Sequence, residues 1–541
     1  MNRADFPEKH FRFPERGAWA AALVLGLLAL YVGLRYYSAS PLNVWENRAV
    51  YRTGYTPLAS GDSAVFLSIG QEILRGGMPY RGLFDHKGPL IYLANALGQA
   101  AGGIVGVWLL ELLALAGSLL FFYRTARLFA GRASAVLASA AVLFGCVPLL
   151  KGGNFAETYA LPFQAATLYW FCKYLKQERF LSAAETARCG AEFGAVFLLR
   201  PNITGIWILF CAAVLADSAI RKRWRFLVSR AGAFLFGTAA VAAPVLLWLA
   251  AGGAFPDFIR QFWLYNLEYT GLASPERVLF AFRYFLGLSD YTFAALGVFL
   301  FLVIRPAPPV LRSWSGLFLL NLALGFLLAA LPGRCDTHYL ISAAVGWFPA
   351  LVWLAARLEQ GVKEGRRKKR ALVCAAVCAV LIFRPIRGAL GDFSPAGWRA
   401  YQDRLNPAAC SPLVDPPLDE TVRWIRNHTR PADTLAGYGE NSIARILLYS
   451  GRRSAVKYIY CPSLTPPIAG NPLFRDLLGR LQESRPAYLI RQKQILSDFD
   501  RTFATRDPFP EPLRQWLGEA GYRKVFENES FEIYALPGPA E

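Results

Sequence analysis

The chain has 541 residues, 55% hydrophobic, 14% aromatic and only 18% charged, with 46 Gly and 34 Pro, which excludes a disordered chain, a collagen and a coiled coil. A formal charge of +20, from 58 Lys and Arg against 38 Asp and Glu, would point to nucleic acid in a soluble protein. Here the basic residues bracket apolar runs, as in Arg221-Lys222-Arg223 and Arg366-Arg367-Lys368-Lys369-Arg370, so the charge reads as membrane topology and not as nucleic-acid binding.

In chain order, apolar runs that would cross roughly 30 Å of hydrocarbon as helices fall near 18–37, 104–123, 134–150, 158–175, 182–199, 203–220, 231–250, 289–304, 313–331, 338–356 and 371–388. The first is as long as a full span, has no small-residue cleavage site behind it and ends on Tyr36-Tyr37, so it reads as a span and not a signal peptide. Residues 88–103 are apolar but too short to cross, which predicts a re-entrant or interfacial helix. With the N-terminus inside, Arg124, Arg127 and Arg132, then Lys173, Lys176 and Arg179, then residues 221–225, Arg305, Arg312 and the run at 366–370 all fall on the cytoplasmic side. The odd number of spans then places residues after about 389 outside, with the loops 38–103, 151–157, 251–288 and 332–337.

Nine cysteines show no metal-ligand spacing, and most lie in or beside apolar runs; Cys374 and Cys378, one helical turn apart, read as core. Beyond 389 the composition becomes that of a soluble domain. Helical spacing of Val422, Trp424 and Ile425 predicts a helix over 418–428, with Pro431-Ala432-Asp433 as breaker; 487–490 reads as a strand, 510–520 as a helix and 531–536 as a terminal strand. The expected fold is a polytopic α-helical membrane protein, about 11 transmembrane helices over 1–388, with a small soluble C-terminal α/β domain over 389–541.

The loop 38–103 is much longer than connections in a helical bundle usually are, and such loops tend to be functional. Gly61-Asp62-Ser63 opens a helix with Val65, Phe66, Ile69 and Ile73 on one face, closed by Gly76-Gly77 and Pro79-Tyr80; the amphipathic pattern predicts that it lies on the membrane surface. Asp85-His86-Lys87-Gly88-Pro89-Leu90 follows, with ionisable groups directly before an apolar helix. The second outer loop offers Lys151, Asn154 and Glu157 at the mouth of a span, and Arg200-Pro201-Asn202 and His338-Tyr339 lie at the ends of later ones.

In these residues the sequence resembles the polytopic glycosyltransferases of the GT-C fold that use a polyprenyl-phosphate-linked sugar, most of all the branch containing the dolichyl-phosphate-mannose protein mannosyltransferases, the lipid A aminoarabinose transferase and their bacterial relatives. Members typically show an acidic motif opening a helix, a Gly-x-x-Pro-Tyr turn, then Lys-x-Pro before an apolar helix. Here these are Asp62, Gly76-Gly77-Met78-Pro79-Tyr80 and Lys87-Gly88-Pro89-Leu90. Two departures stand out: Ser63 replaces a frequent second acid, and the second-loop acid, often Asp, would be Glu157.

The resemblance implies transfer of a sugar from a polyprenyl-phosphate donor to a lipid, glycan or protein acceptor at the outer side of the plasma membrane, with membrane lipids around it. A lipid phosphate at headgroup depth asks for cations, met by Lys87 and Arg200, and the acceptor hydroxyl asks for a carboxylate base, met by Asp62 with Glu157 as second candidate. Asp85, His86, Tyr80, Asn154 and His338 are the further expected substrate contacts. Asp62 also stands where an N-cap belongs. No cofactor is required; a divalent metal is compatible with the carboxylates beside His86, although the spacing does not demand one. The competing function is a transporter or flippase of a lipid-linked saccharide, which would favour matching halves and polar broken helices at mid-membrane; here no matching halves are detectable and the ionisable residues concentrate in the outer loops.

This topology has a direct test. With Cys335, Cys410 and Cys461 replaced, a Glu483→Cys variant should react with an impermeant thiol reagent on intact cells, whereas labelling only after lysis would reverse the assignment.

Overall fold

The computed structural model describes residues 16–41, 61–177, 180–271, 274–304, 309–364, 416–461, 471–493 and 509–537. The expected span at 371–388, the basic run at 366–370, Cys374, Cys378 and the domain boundary near 389 lie outside the described residues.

Nearly every apolar run forms the helix its composition dictates. Among the described residues, five helices are long and apolar enough to cross a membrane, namely Gly17–Tyr36, Pro89–Arg127, Arg132–Leu149, Trp224–Ala251 and Thr337–Gly361, and a sixth if the pair Pro275–Gly287 and Asp290–Ile304, bent by 88°, counts as one. Ala156–Gln177, Ala183–Leu199, Gly205–Ile220 and Pro309–Ala330 are helices as well. On Trp224–Ala251 the side chains of Leu235, Phe236 and Leu247 are 65%, 73% and 69% exposed. Such an apolar exterior is stable only in lipid, so the chain is a multi-pass membrane protein.

The charges inside Ala183–Leu199 are satisfied by its neighbours. Ser182 and Glu185 form a capping box, Lys173 pairs with Glu185 at 2.5 Å, and Glu192 accepts from Thr167 and Trp170 at 2.7 and 3.1 Å. Small residues set its approach to Trp224–Ala251: a Cβ on Gly190 would stand 1.9 Å from the Phe234 carbonyl oxygen, and one on Gly237 1.8 Å from that of Ala187.

One expectation for the first loop changes in detail. Helix α1 (Gly61–Leu74) forms as expected, but its apolar face, with Val65, Phe66 and Ile69 buried, is covered by protein and not by headgroups. The cover is α2, the first part of Pro89–Arg127, against which Gly70 packs so closely that a Cβ would meet the Ala96 nitrogen at 2.9 Å. Pro89–Arg127 is itself broken at Gly102 and Gly103. The chain folds back there until a Cβ on Gly106 would lie 2.0 Å from the Gly98 carbonyl oxygen, so 89–101 is a short helix distinct from the span that follows.

The loop 251–288, for which the sequence predicts no elements, is largely helical: Phe255–Phe258, a π-helical stretch Ile259–Leu264, Tyr265–Gly271 and Pro275–Gly287. At the C-terminal end, Pro416–His428, Glu511–Glu519, Tyr488–Gln492 and Phe531–Ala535 match the expected helices and strands. They belong to a five-stranded sheet, β1 (Thr434–Tyr438), β2 (Arg453–Ser454), β3 (Tyr488–Gln492), β4 (Arg523–Glu527) and β5 (Phe531–Ala535), in the order β2-β1-β3-β5-β4. The β2, β1 and β3 pairings are parallel and those of β5 antiparallel. Helices Ser442–Ser450 and Pro472–Ser484 complete a small α/β unit.

Candidate active site

The segment from Tyr80 to Pro89 is shaped by backbone constraints written into its sequence. Tyr80 sits at φ 68° and is fully buried; its hydroxyl donates to the Lys87 carbonyl at 2.8 Å, which closes the turn. Gly88 lies against the end of Ala183–Leu199, where its N–H donates to the Leu199 carbonyl at 3.1 Å and a Cβ would stand 1.9 Å from the Leu198 oxygen. Only glycine fits there. The same contact brings Lys87 toward Arg200, which follows that helix.

Asp85 is 3% exposed and accepts from the Tyr92 hydroxyl at 2.8 Å and the Tyr460 hydroxyl at 2.7 Å. Burial raises its carboxyl above the ordinary value, against Lys87 and the two tyrosine hydrogen bonds, which lower it. His86 is pushed well below its ordinary value by burial and then by Lys87, Arg200 and Arg334, so the ring is neutral. Its Nε2 lies 3.0 Å from Lys87 Nζ and its Nδ1 3.5 Å from Asp85 Oδ1. With Lys87 donating to Nε2, the proton belongs on Nδ1, facing Asp85. Lys87 therefore has a neutral imidazole, and not a carboxylate, as its hydrogen-bond partner.

Loop 251–288 clamps this segment from the other side. Gln261, in the π-helical stretch, donates to the Tyr80 carbonyl at 2.6 Å and accepts from the Asp85 N–H at 3.3 Å, and Asn266 donates to the His86 carbonyl at 2.8 Å. A π-helical stretch at such a place is common, because the extra residue re-aims a side chain.

Across the helix ends, the Arg200 guanidinium donates to Glu157, which is 1% exposed, and to Asn202 at 2.8 Å, and lies 3.8 Å from the Tyr339 ring centroid. His338 stacks on Phe155 at 4.0 Å and is within electrostatic reach of Glu157, Asp336, Asp62 and Arg200. Asp336, which is exposed at the surface, is held below the ordinary carboxylate value by His338, Arg334, Arg200 and Lys87. Lys87, Arg200 and Arg334 thus gather on one side, with Asp62, Asp336 and Glu157 among them.

Asp62 lies in the first turn of α1 and accepts from Asn441 Nδ2 at 2.6 Å. The C-terminal unit therefore reaches the site twice, through Asn441 and through Tyr460. Phe84 seals that junction among Tyr265, Tyr458 and Tyr460, with ring centroids 5.5, 5.2 and 6.2 Å away, and its N–H donates to the Lys457 carbonyl at 2.8 Å.

The structure thus brings Asp62, Asp85, His86, Lys87, Glu157, Arg200 and His338 to one end of the bundle. Tyr80 and Asn154 stand behind it: Asn154, 2% exposed at φ 59°, exchanges hydrogen bonds with Asn95 at 2.9 and 3.1 Å and donates to Ser63 at 2.8 Å. Arg334 and Asp336 were missed, although charge at the mouth of a span, the signal that selected Lys87 and Glu157, was present in Arg334-Cys335-Asp336-Thr337-His338. Among the described residues, no three His, Cys, Asp or Glu side chains converge to hold a metal.

A family profile for the competence-induced protein Ccs4 N-terminal domain matches residues 51–381, more than half of the chain. The chain belongs to this family. Its matched stretch contains every site residue above except Asn441, Lys457, Tyr458 and Tyr460, which come from beyond it. Among solved structures the chain is similar to ArnT from Cupriavidus metallidurans bound to undecaprenyl phosphate, with a TM-score of 0.55 and 13% identity over 97% of this chain and 100% of that one. It is also similar to the archaeal oligosaccharyltransferase AglB from Archaeoglobus fulgidus in complex with an inhibitory peptide and a dolichol-phosphate, with a TM-score of 0.50 and 14% identity over 96% of this chain and 74% of that one. Both have the GT-C fold, and so does this member of the family. No curated protein matches it in sequence.

The neutral state of His86 predicts a pH dependence. The unfolded chain takes up this proton below about pH 6.5 while the folded one does not, so stability falls as the pH drops below that value. Asp85 acts in the opposite sense, its raised carboxyl favouring the fold at low pH and losing that contribution as the pH rises through its shifted value. Comparing parent with His86→Gln isolates the histidine: between about pH 7.5 and 5 the variant's Tm should fall less steeply. Equal slopes would mean that His86 is protonated in the fold.

Proposed function

We propose that the protein is an integral membrane glycosyltransferase that moves a sugar from a polyprenyl-phosphate-linked donor to an acceptor hydroxyl at the outer face of the plasma membrane, with inversion at the anomeric carbon. The N-terminus is cytoplasmic and the C-terminal domain, 389–541, extracytoplasmic, joined to the transmembrane domain 1–388. The observation that carries this reading is the gathering of Lys87, Arg200 and Arg334 beside Asp62 at one end of a GT-C bundle.

The donor phosphate is an anion at headgroup depth, and Lys87, which has no carboxylate at hydrogen-bond distance among the described residues, is suited to meet it with Arg200 and Arg334. Glu157 orients Arg200, as Asp85 and His86 orient Lys87. Asp62, held by Asn441, takes the proton of the acceptor hydroxyl as its oxygen attacks the anomeric carbon. The bond from that carbon to the phosphate oxygen breaks with its electron pair leaving on the phosphate, which the cations stabilise. One displacement inverts the carbon, and the products are the glycosylated acceptor and free polyprenyl phosphate. No step requires a covalent enzyme intermediate or a metal.

Purified protein incubated with a labelled polyprenyl-phosphosugar and a membrane extract as acceptor source should release free polyprenyl phosphate; a transporter would return the donor intact. In that assay Asp62→Asn should lower kcat by about 10² to 10⁴, as loss of a general base does, whereas Asn matches Asp in size and can still accept from the Asn441 amide, which keeps the fold. Turnover at close to the parent rate would remove Asp62 as the base. Lys87→Met should raise the donor KM or lower kcat/KM, because a charge pair at about 4 Å near a surface is worth up to roughly 4 kcal/mol before desolvation. Unchanged kinetics at sub-saturating donor would remove Lys87 from the site.

A further inference from the structure

A second site lies between α1 and the C-terminal unit. It is a cleft of about 520 Å³, walled by the outer face of α1, the turn at 81–83, the β2 edge and the end of Pro472–Ser484, within the roughly 300–1,000 Å³ of small-molecule sites. Six cations line it: Arg75, Arg81, Arg452, Arg453, Lys457 and Arg480. The lining carboxylates are only Glu72 and Glu483.

The internal pairings leave positive charge in surplus. Arg452 is committed to the fold by its bonds to Thr429 and Ser450 at 2.8 to 3.0 Å. Lys457 and Arg480 share one carboxylate, Asp476, at 3.1 and 2.9 Å. Arg453, 63% exposed, has a long 3.4 Å contact with Glu72, Arg81 reaches only the Gly252 carbonyl at 3.4 Å, and Arg75 is exposed with no carboxylate at ion-pair distance among the described residues. Cations brought together in a concave surface repel one another and concentrate anions. Ser68, Gln71, Ser454 and Ser484 add hydrogen-bonding groups, so the cleft suits a hydrophilic anion and not an acyl or polyprenyl chain.

Its position gives the anion a role. Ser68 and Gln71, on its wall, follow Asp62 on the same helix, and six residues of α-helix span about 9 Å. Asp62 does not line the cleft itself, but a chain leaving the cleft at the N-terminal end of α1 comes within that axial distance of the proposed base. We propose that the cleft holds the acceptor, and that the acceptor is a chain bearing phosphodiester or similar anionic groups. The assignment of this ligand as acceptor rests on the glycosyltransferase reading, but the anion site itself does not.

Binding tests it without any turnover. The full-length protein in detergent should bind a fluorescent glycerol-phosphate oligomer, and an uncharged dextran of equal length should not bind. The double variant Arg75→Gln, Arg453→Gln, which alters two exposed side chains, should raise the Kd of the oligomer roughly tenfold or more. Monomeric dihexanoyl-phosphatidylglycerol should displace the oligomer no better than glycerol phosphate does. Equal Kd in parent and variant, equal binding of dextran, or preferential displacement by the short-chain lipid, which would make this a membrane-headgroup site, would each overturn the proposal. Failure of the donor-cleavage assay would sink the transferase reading and leave these binding results standing.

Discussion

The site is held together by the docking of the C-terminal unit onto the first long loop. Hydrogen bonds at the site tie the two, Asn441 to Asp62, Tyr460 to Asp85 and the Phe84 N–H to the Lys457 carbonyl, with the longer Arg453–Glu72 contact beyond them. A carboxylate opening a helix in a loop is free to turn toward solvent; Asp62 is instead fixed at 2.6 Å by an amide. The contact is so tight that a Cβ on Gly61 would lie 2.3 Å from that of Asn441, so the glycine before Asp62 is a condition of the docking. Hydrogen bonds to charged groups contribute about 1.5 to 3 kcal/mol each, and the aromatic cluster around Phe84 keeps water away from them.

From that junction the electrostatics follow. Three cations gathered at helix ends would repel one another unless their neighbours compensated. Arg200 is compensated by Glu157 and by the face of Tyr339, and Asp336 feels all three cations. Lys87 is held differently: its hydrogen-bond partner is His86, which is driven neutral by burial, while Asp85 and Asp336 act on it only through space. Among the described residues its ammonium is thus oriented without a direct ion pair, which suits the proposed phosphate contact. The basic cleft along α1 extends positive charge onto the C-terminal unit, so the two anion sites proposed above lie at this end of the molecule.

The sequence revealed most of this where short-range chemistry decides structure. Gly76 and Tyr80 at positive φ, and Gly88 under the Leu198 carbonyl, are the physical content of the motif that pointed to the site. The helices followed from apolar runs of sufficient length, and the break at Gly102 and Gly103 from a run too short to cross. Asn441 and Tyr460 were not legible, because they meet Asp62 and Asp85 across 379 and 375 residues and nothing in their local sequence marks them. Gln261 was hidden likewise, since it meets Tyr80 and Asp85 across 181 and 176 residues. Asn154 was read as a ligand contact because charged and polar residues cluster around it, yet its amide is spent on Asn95 and Ser63. Polarity at a helix mouth marks a site without distinguishing the groups that face it from those that hold it.

The docking can be measured by a double-mutant cycle on Tyr460 and Asp85. Stability of Tyr460→Phe, Asp85→Ala and the double variant, read by denaturation in detergent, gives the coupling between the two side chains. The account predicts a coupling on the order of 1 to 3 kcal/mol, because the hydroxyl and carboxylate are joined at 2.7 Å inside a buried junction. Effects that add to within about 0.5 kcal/mol would contradict it, and would mean that the C-terminal unit does not hold the site.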